Sequence, residues 1–145
     1  MKGSGTIFFI SFVLMVYLQN TECKKLNFEE IKEALTPLRK FCIDRVGTDP
    51  KMIENANKGN FSPDRKLKCY YKCMLLNTKV MKNDKLVEIA FKNIVELMML
   101  DELQPDFIKG MDTCHSIATK SLEGCELAYE YIKCHYNFKP GNMFL

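Results

Sequence analysis

The sequence lacks a hydrophobic run long enough to cross a bilayer. The uncharged apolar stretch near its start, residues 7–18, has 12 residues, whereas a membrane-spanning helix needs about 20. Lys2 precedes this stretch, and Thr21 and Cys23 follow it at the −3 and −1 positions of a plausible cleavage site. The pattern predicts a signal peptide at residues 1–23, a mature domain at residues 24–145, and a secreted, extracellular protein without stable membrane insertion. A membrane anchor is the alternative, which the short run disfavours.

The chain also lacks an excess of charge of one sign. Its 21 lysines and arginines and 18 acids give a net charge of +3, and the lysines are scattered among the acids. A nucleic-acid partner would require a basic patch, so we expect none. Low-complexity tracts, internal repeats and long linkers are absent as well, and the length fits a single domain.

Strand patterns are absent too, because no segment alternates apolar and polar residues for long enough. Helical signals take their place. Asn27 and Glu30 form a capping-box pattern that starts a first helix. Pro37 interrupts this helix and predicts a kink or two short helices, the second of which stops at Gly47.

The next two helices are predicted from caps and prolines. Asp49 before Pro50 starts a short second helix that ends at Gly59. Ser62, followed by Pro63 in the first turn, starts a third helix in the same way.

The fourth predicted helix, residues 84–100, is apolar over most of its circumference. Its polar residues form one narrow stripe, in which Glu88 can pair with Lys92 and Lys92 with Glu96 at i, i+4 spacing. A helix this apolar is buried on most sides. Residues 105–121 and 124–136 supply a fifth and a sixth helix. The predicted fold is therefore a compact all-α domain of six helices.

The cysteines predict a disulfide framework. The sequence has seven, and removal of Cys23 with the signal peptide leaves six, an even set that is typical of a small secreted domain. Cys69 and Cys73 are four residues apart, so their Cβ atoms lie about 5–6 Å apart on a helix. A disulfide requires about 3.5–4.5 Å. These two cysteines should therefore bond to different partners, which leaves twelve of the fifteen possible pairings open.

Metal-binding and catalytic patterns are missing. There is no CxxC pair, and His115 and His135 each follow a cysteine instead of forming a ligand-spaced pair. No aspartate adjoins His115, and Ser116 and Ser121 read as ordinary helix or cap residues. No nucleophile, base and orienting acid are thus brought together. We expect no metal, no cofactor and no enzymatic activity.

The cysteine spacing resembles that of a known family. The pattern Cys42-x26-Cys69-x3-Cys73-x40-Cys114-x10-Cys125-x8-Cys134, with the segments KCYYKC and CELAYEYIKC, resembles the insect odorant-binding proteins, the pheromone- and general-odorant-binding family. The resemblance covers essentially the whole mature chain, and the x3 and x8 intervals are its specific part. It implies three interlocked disulfides, Cys42–Cys73, Cys69–Cys125 and Cys114–Cys134.

The resemblance also implies a function. It implies six helices around an internal apolar cavity, in a carrier that moves odorants, pheromones or related semiochemicals through aqueous lymph to receptors. The implied partners are a small apolar organic ligand and an olfactory receptor, and the implied assembly is a monomer or a weak homodimer. A secreted helical effector or signalling protein that acts through a protein–protein surface is the alternative.

No family motif fixes the ligand-binding residues, so they are predicted from the helix patterns. The fourth helix is the best candidate for a cavity wall, because a ligand could cover one of its apolar faces. A tyrosine could supply the polar contact that orients a ligand. The predicted set is Tyr71, Leu75, Phe91, Ile94, Val95, Met98, Met111, Ala118, Tyr131, Phe138 and Phe144.

The C-terminal tail, residues 138–145, is predicted to be non-helical because it contains Pro140 and Gly141. Its apolar side chains predict that it packs back and covers the mouth of the cavity. His115 and His135 could titrate between pH 5 and 7, but nothing in the sequence supplies a partner for them. We therefore expect both histidines at the surface.

Overall fold

The computed structural model describes residues 24–142, which form six α-helices, a short hairpin and a final 3₁₀ turn. The helices are α1 (Phe28–Val46), α2 (Pro50–Asn57), α3 (Arg65–Asn77), α4 (Glu88–Met98), α5 (Gln104–Ala118) and α6 (Gly124–Phe138). Strands β1 (Met81–Lys82) and β2 (Lys85–Leu86) lie between α3 and α4, and the 3₁₀ turn Pro140–Asn142 follows α6. The predicted all-α fold of six helices is confirmed. The predicted signal peptide lies outside the described residues.

Helix α1 begins and ends where the sequence predicts. Asn27 Oδ1 accepts a hydrogen bond from the Glu30 amide at 3.0 Å, and Glu30 Oε2 accepts one from the Asn27 amide at 2.9 Å. Gly47 ends the helix in the left-handed conformation, with φ of 71°. Of the two predicted outcomes at Pro37, a kink or two short helices, the second is wrong, because α1 continues through Pro37 as one helix. Apolar side chains before and after the proline pack into the interior, which offsets the hydrogen bond that proline removes.

The starts of α2 and α3 are both set by an aspartate. Asp49 Oδ1 accepts from the Lys51 amide at 2.9 Å, as predicted for α2. The predicted cap of α3, Ser62, is wrong. Asp64 caps that helix instead, and its carboxylate accepts from two backbone amides at 2.7 and 3.3 Å. A carboxylate at this position also interacts favourably with the positive end of the helix dipole.

A hairpin that the sequence analysis did not predict precedes α4. Met81 pairs with Leu86 and Lys82 with Lys85 in antiparallel register. Its two turn residues, Asn83 and Asp84, have φ of 50° and 58°, a conformation that Asn and Asp tolerate better than most residues. Strands of two residues are too short to show an alternating pattern, and the hairpin delays the start of the helix to Glu88.

Helix α4 is less buried than predicted. Val95 is its only buried residue, whereas Ile89 and Leu97 are 65% and 62% exposed. The prediction of burial on most sides is therefore wrong, because the domain covers only one face of this helix. Of the predicted pairs, Lys92 does approach Glu96 at 3.8 Å.

Helices α3 and α6 form the centre of the domain. Helix α6 packs against α3 on one side and α5 on the other, and α1 packs against α3. The segment before α1 is held to the end of α4, because the Leu26 amide donates to the Met98 carbonyl at 2.7 Å and the Leu100 amide to the Leu26 carbonyl at 3.1 Å. A second apolar cluster lies beside this connection, formed by Ile31, Val95, Met99 and Phe107.

Three disulfides connect these helices. Cys42–Cys73 joins α1 to α3, Cys69–Cys125 joins α3 to α6, and Cys114–Cys134 joins α5 to α6. These are the three pairs that the family resemblance implies. Cys69 and Cys73 bond to different helices, in agreement with the argument from helix geometry.

The α-helix ends before Pro140 and Gly141. Phe138 is the last residue of α6, and Pro140–Asn142 forms a single 3₁₀ turn, so of the described residues in the tail predicted to be non-helical, only residue 138 and this turn are helical. Proline is compatible with the first position of a helical turn, where no N–H is needed. Lys139 Nζ forms an ion pair with Asp106 Oδ2 at the start of α5.

Candidate ligand-binding site

A cavity of about 390 Å³ lies between α1, α4 and α6, with contributions from α3, the segment after it and the first turn of α5. Small-molecule sites in proteins typically have volumes of about 300–1,000 Å³. The lining residues are Ile31, Ala34, Leu35, Leu38, Leu75, Asn77, Thr78, Val80, Phe91, Ile94, Val95, Met98, Met99, Phe107, Tyr131, Ile132 and His135.

Helical periodicity places most of these side chains. On α4, Phe91, Ile94, Val95 and Met98 lie one turn apart and share the face that looks into the domain. Ile31, Leu35 and Leu38 form the corresponding face of α1. Tyr131 and His135 are four residues apart on α6, with ring centroids 4.6 Å apart, and the Phe91 ring approaches the His135 ring at 5.7 Å. Three helices thus surround one apolar space.

The wall contains no Lys, Arg, Asp or Glu. Two polar side chains of the wall donate hydrogen bonds to the backbone of α3: Asn77 Nδ2 to the Cys73 carbonyl at 2.8 Å and Thr78 Oγ1 to the Met74 carbonyl at 2.9 Å. The Tyr131 hydroxyl and His135 Nε2 are buried and make no hydrogen bond with the described residues. The wall therefore contains two buried polar atoms without a hydrogen-bond partner among the described residues.

Burial keeps both of these groups neutral. It raises the pKa of the Tyr131 hydroxyl above its usual value, and the negative charge of Glu88 adds to this effect. It lowers the pKa of His135 from 6.5 to about 4. At neutral pH the cavity is thus uncharged as well as apolar.

The protonation of His135 predicts a pH dependence of stability. Between pH 6.5 and about pH 4 the unfolded chain binds a proton at this residue that the folded protein does not, so the free energy of unfolding falls as the pH falls through this window. We expect a loss of about 3 kcal/mol from this group. In urea unfolding at a series of pH values, His135→Phe should show a smaller decrease between pH 6.5 and 4 than the unmodified protein. His115→Gln should retain the full decrease, and equal slopes for the two variants would contradict the assignment.

Six of the predicted ligand-binding residues line the cavity: Leu75, Phe91, Ile94, Val95, Met98 and Tyr131. Four others do not. Tyr71 is fully buried in the main core, where its ring contacts Tyr70 and Tyr129 at centroid distances of 5.4 and 6.5 Å. Phe144 lies outside the described residues.

The three other predicted residues that do not line the cavity lie on α5 and at the end of α6. Phe107, near the start of α5, reaches the cavity. Met111 is buried one turn further along, and Ala118 ends the helix about 16 Å from Phe107 along its axis. Phe138 packs against α5 instead of the cavity, since its Cδ1 lies 3.3 Å from the point where a Cβ at Gly110 would be.

Several lining residues were missed by the sequence analysis. The face of α1 has the same spacing as that of α4, but amphipathicity does not reveal which space a face borders. His135 was expected at the surface and is instead in the cavity wall. Because His135 follows Tyr131 by four residues, the two share one helix face, and this spacing was the available signal that His135 lies in the same wall. His115 does lie at the surface, 62% exposed, and its Nδ1 is 2.7 Å from Glu88 Oε2.

The sequence and the fold were compared with known proteins. The model of the PBP/GOBP family matches residues 24–137. The chain belongs to the PBP/GOBP family. Among curated members, it is 26% identical to general odorant-binding protein 72 of Anopheles gambiae over 80% of this chain and 96% of that protein. It is 27% identical to general odorant-binding protein 69a of Drosophila melanogaster over 88% and 84% of the two chains.

Solved structures agree with this family assignment. Odorant binding protein 4 of Chrysopa pallens superposes with a TM-score of 0.73 and 30% identity, over 81% of this chain and 96% of that one. Odorant binding protein 5 of Apis mellifera has a TM-score of 0.75 over 84% and 98% of the two chains, and at 20% identity it shows the fold alone. Within residues 24–142, this family member has no helix long and apolar enough to cross a membrane and no cluster of three or more potential metal ligands.

Proposed function

We propose that this PBP/GOBP-family protein is a secreted carrier that takes small hydrophobic ligands such as odorants or pheromones into its cavity and moves them through aqueous lymph to receptors. Family and fold support a carrier that binds small ligands, and members of the family are binding carriers rather than enzymes. The observation that carries the proposal is the cavity, which is large enough for a small organic molecule and lined almost entirely by apolar side chains. Burial of a ligand's apolar surface contributes about 25 cal/mol per Å².

The disulfides support a secreted location. Three bonded pairs use all six cysteines of residues 24–142, and disulfides persist in oxidising compartments. The exposed apolar residues of α4 are few and scattered, which fits a monomer or a weak homodimer. A receptor partner follows from the proposed transport role.

The direct test is uptake of a fluorescent apolar probe. Oxidised protein comprising residues 24–145 is titrated with N-phenylnaphthylamine, whose emission rises in an apolar site. We expect saturable binding with a Kd of about 1–10 μM and displacement by dodecanol. Native mass spectrometry of the secreted protein should show one small organic molecule per chain. No saturable uptake would overturn the carrier proposal and favour the secreted effector.

We further propose that residues 143–145 cover the mouth of the cavity. The position of the preceding residue supports this. Lys139 pairs with Asp106 at the start of α5, and the next residue along that helix, Phe107, lines the cavity.

Deletion of residues 143–145 tests this cover, and it leaves α6 intact because that helix ends at Phe138. We expect the affinity for N-phenylnaphthylamine to fall about fivefold, since three apolar side chains no longer exclude water from the bound probe. Titrations at pH 7 and pH 5 measure the effect. Unchanged affinity at both pH values would show that the tail does not close the cavity.

A further inference from the structure

Two polar groups of the cavity wall lack hydrogen-bond partners among the described residues: the Tyr131 hydroxyl and His135 Nε2. Four other buried side-chain atoms share this property, but they belong to residues outside the wall. A buried polar group without a partner is unfavourable because its hydrogen bonds to water are lost and not replaced. Tyr131 and His135 lie on adjacent turns of α6 with their rings in edge-to-face contact at 4.6 Å. The two rings therefore lie side by side in the cavity wall, and neighbouring atoms cover the hydroxyl and Nε2 themselves.

The charges around this pair are unfavourable for an anion. The cavity wall itself has no cationic side chain, and His135 stays neutral down to about pH 4. The charged side chain that acts on Tyr131 is the negatively charged Glu88. Glu88 pairs with His115, which lies on the exposed side of α5. An ionised head group placed beside Tyr131 would thus lose its hydration without gaining a counter-charge, which is costly.

We propose that the cavity selects neutral ligands with a single hydroxyl or carbonyl oxygen, which hydrogen-bonds to Tyr131 and His135, and that it rejects carboxylates of the same length. This inference rests on the proposed carrier function. The tyrosine hydroxyl donates to the ligand oxygen, and an alcohol can in turn donate to an unprotonated His135 Nε2. Neighbouring wall atoms cover both groups, so a small rotation of the two rings accompanies binding. A cavity of about 150 Å³ holds one benzene, and the volume here, about 390 Å³, suits a chain of about ten to twelve carbons.

The first experiment compares two ligands that have the same chain length and different head groups. N-phenylnaphthylamine is bound to the oxidised protein of residues 24–145 and displaced by dodecanol or by dodecanoate. At pH 7 we expect dodecanoate to be at least about tenfold weaker than dodecanol. At pH 5 a larger fraction of the carboxylic acid is protonated, so its affinity should rise while that of dodecanol stays constant. Equal displacement by the two compounds at pH 7 would overturn the inference. A protein that takes up no probe at all would overturn the carrier function, and the two failures are therefore distinguishable.

The second experiment removes the proposed donor. Tyr131→Phe deletes only the hydroxyl, and we expect it to weaken dodecanol about fivefold, as measured by displacement and corrected for the affinity of each variant for the probe. Tyr71→Phe is the matched control, because it deletes a hydroxyl that is also buried and unpaired but lies away from the cavity. Neither variant should have a lower melting temperature, since each removes an unsatisfied polar group. The same affinity for dodecanol in both variants would show that Tyr131 does not form a hydrogen bond with the head group of the ligand.

Discussion

Replacing both Cys69 and Cys125 by serine is expected to lower the free energy of unfolding by about 4 kcal/mol. The two residues are 56 positions apart in the sequence, and closing a loop of this length removes a corresponding amount of conformational entropy from the unfolded chain. This bond also joins α3 to α6, which both contribute side chains to the cavity wall. We therefore expect weaker probe binding as well as lower stability.

The matched control removes a disulfide that closes a shorter loop. Cys114 and Cys134 are 20 positions apart, so their replacement by serine should cost about 3 kcal/mol. Urea unfolding of the two double variants without reductant measures both values, and neither variant contains a free thiol. Because the loops interlock, only removal of one pair at a time is compared. A larger loss for the Cys114–Cys134 variant would contradict the assignment of the effect to loop length.

Local signals predicted the six helices and both ends of α1, but not the starts of α3 and α4. The capping box of Asn27 and Glu30 and the stop at Gly47 depend on neighbouring residues only, and such signals are visible in the sequence. The continuation of α1 through Pro37 depends on packing against other helices, which the local sequence does not contain. The hairpin before α4 is shorter than any periodic pattern, and its turn at Asn83 and Asp84 was the only signal for it.

The lining residues of the candidate site were predictable where they share one face of a single helix. Four of the predicted residues on α4 line the cavity because they share one face. The predicted residues on α5, Met111 and Ala118, do not line the cavity and had no such constraint, since the direction of α5 relative to the cavity is a tertiary property. His135 was expected at the surface because nothing in the sequence supplies a partner for it. Its burial follows from the packing of α6 between α3 and α5.

A bulky side chain introduced at Ile94 should show whether the space beside α4 is an open cavity or a packed core. Ile94 lines the cavity, and we expect Ile94→Trp to weaken N-phenylnaphthylamine binding about tenfold by filling the space. In a packed core the same change would destabilise the protein by about 1–3 kcal/mol, whereas filling a cavity leaves stability unchanged or raises it. The expected result is therefore a loss of binding without a loss of stability.

Ile89 provides the control on the same helix. It is 65% exposed and lies outside the cavity wall, so Ile89→Trp makes the same chemical change in solvent. Probe titration and urea unfolding of this variant should both match the unmodified protein. If Ile94→Trp lost stability along with binding, the space beside α4 would be too tightly packed to hold a ligand. If it retained full affinity, the probe would bind elsewhere. Since α4 borders the space with one face and solvent with the other, the contrast between Ile94 and Ile89 tests whether that inner face forms the binding site.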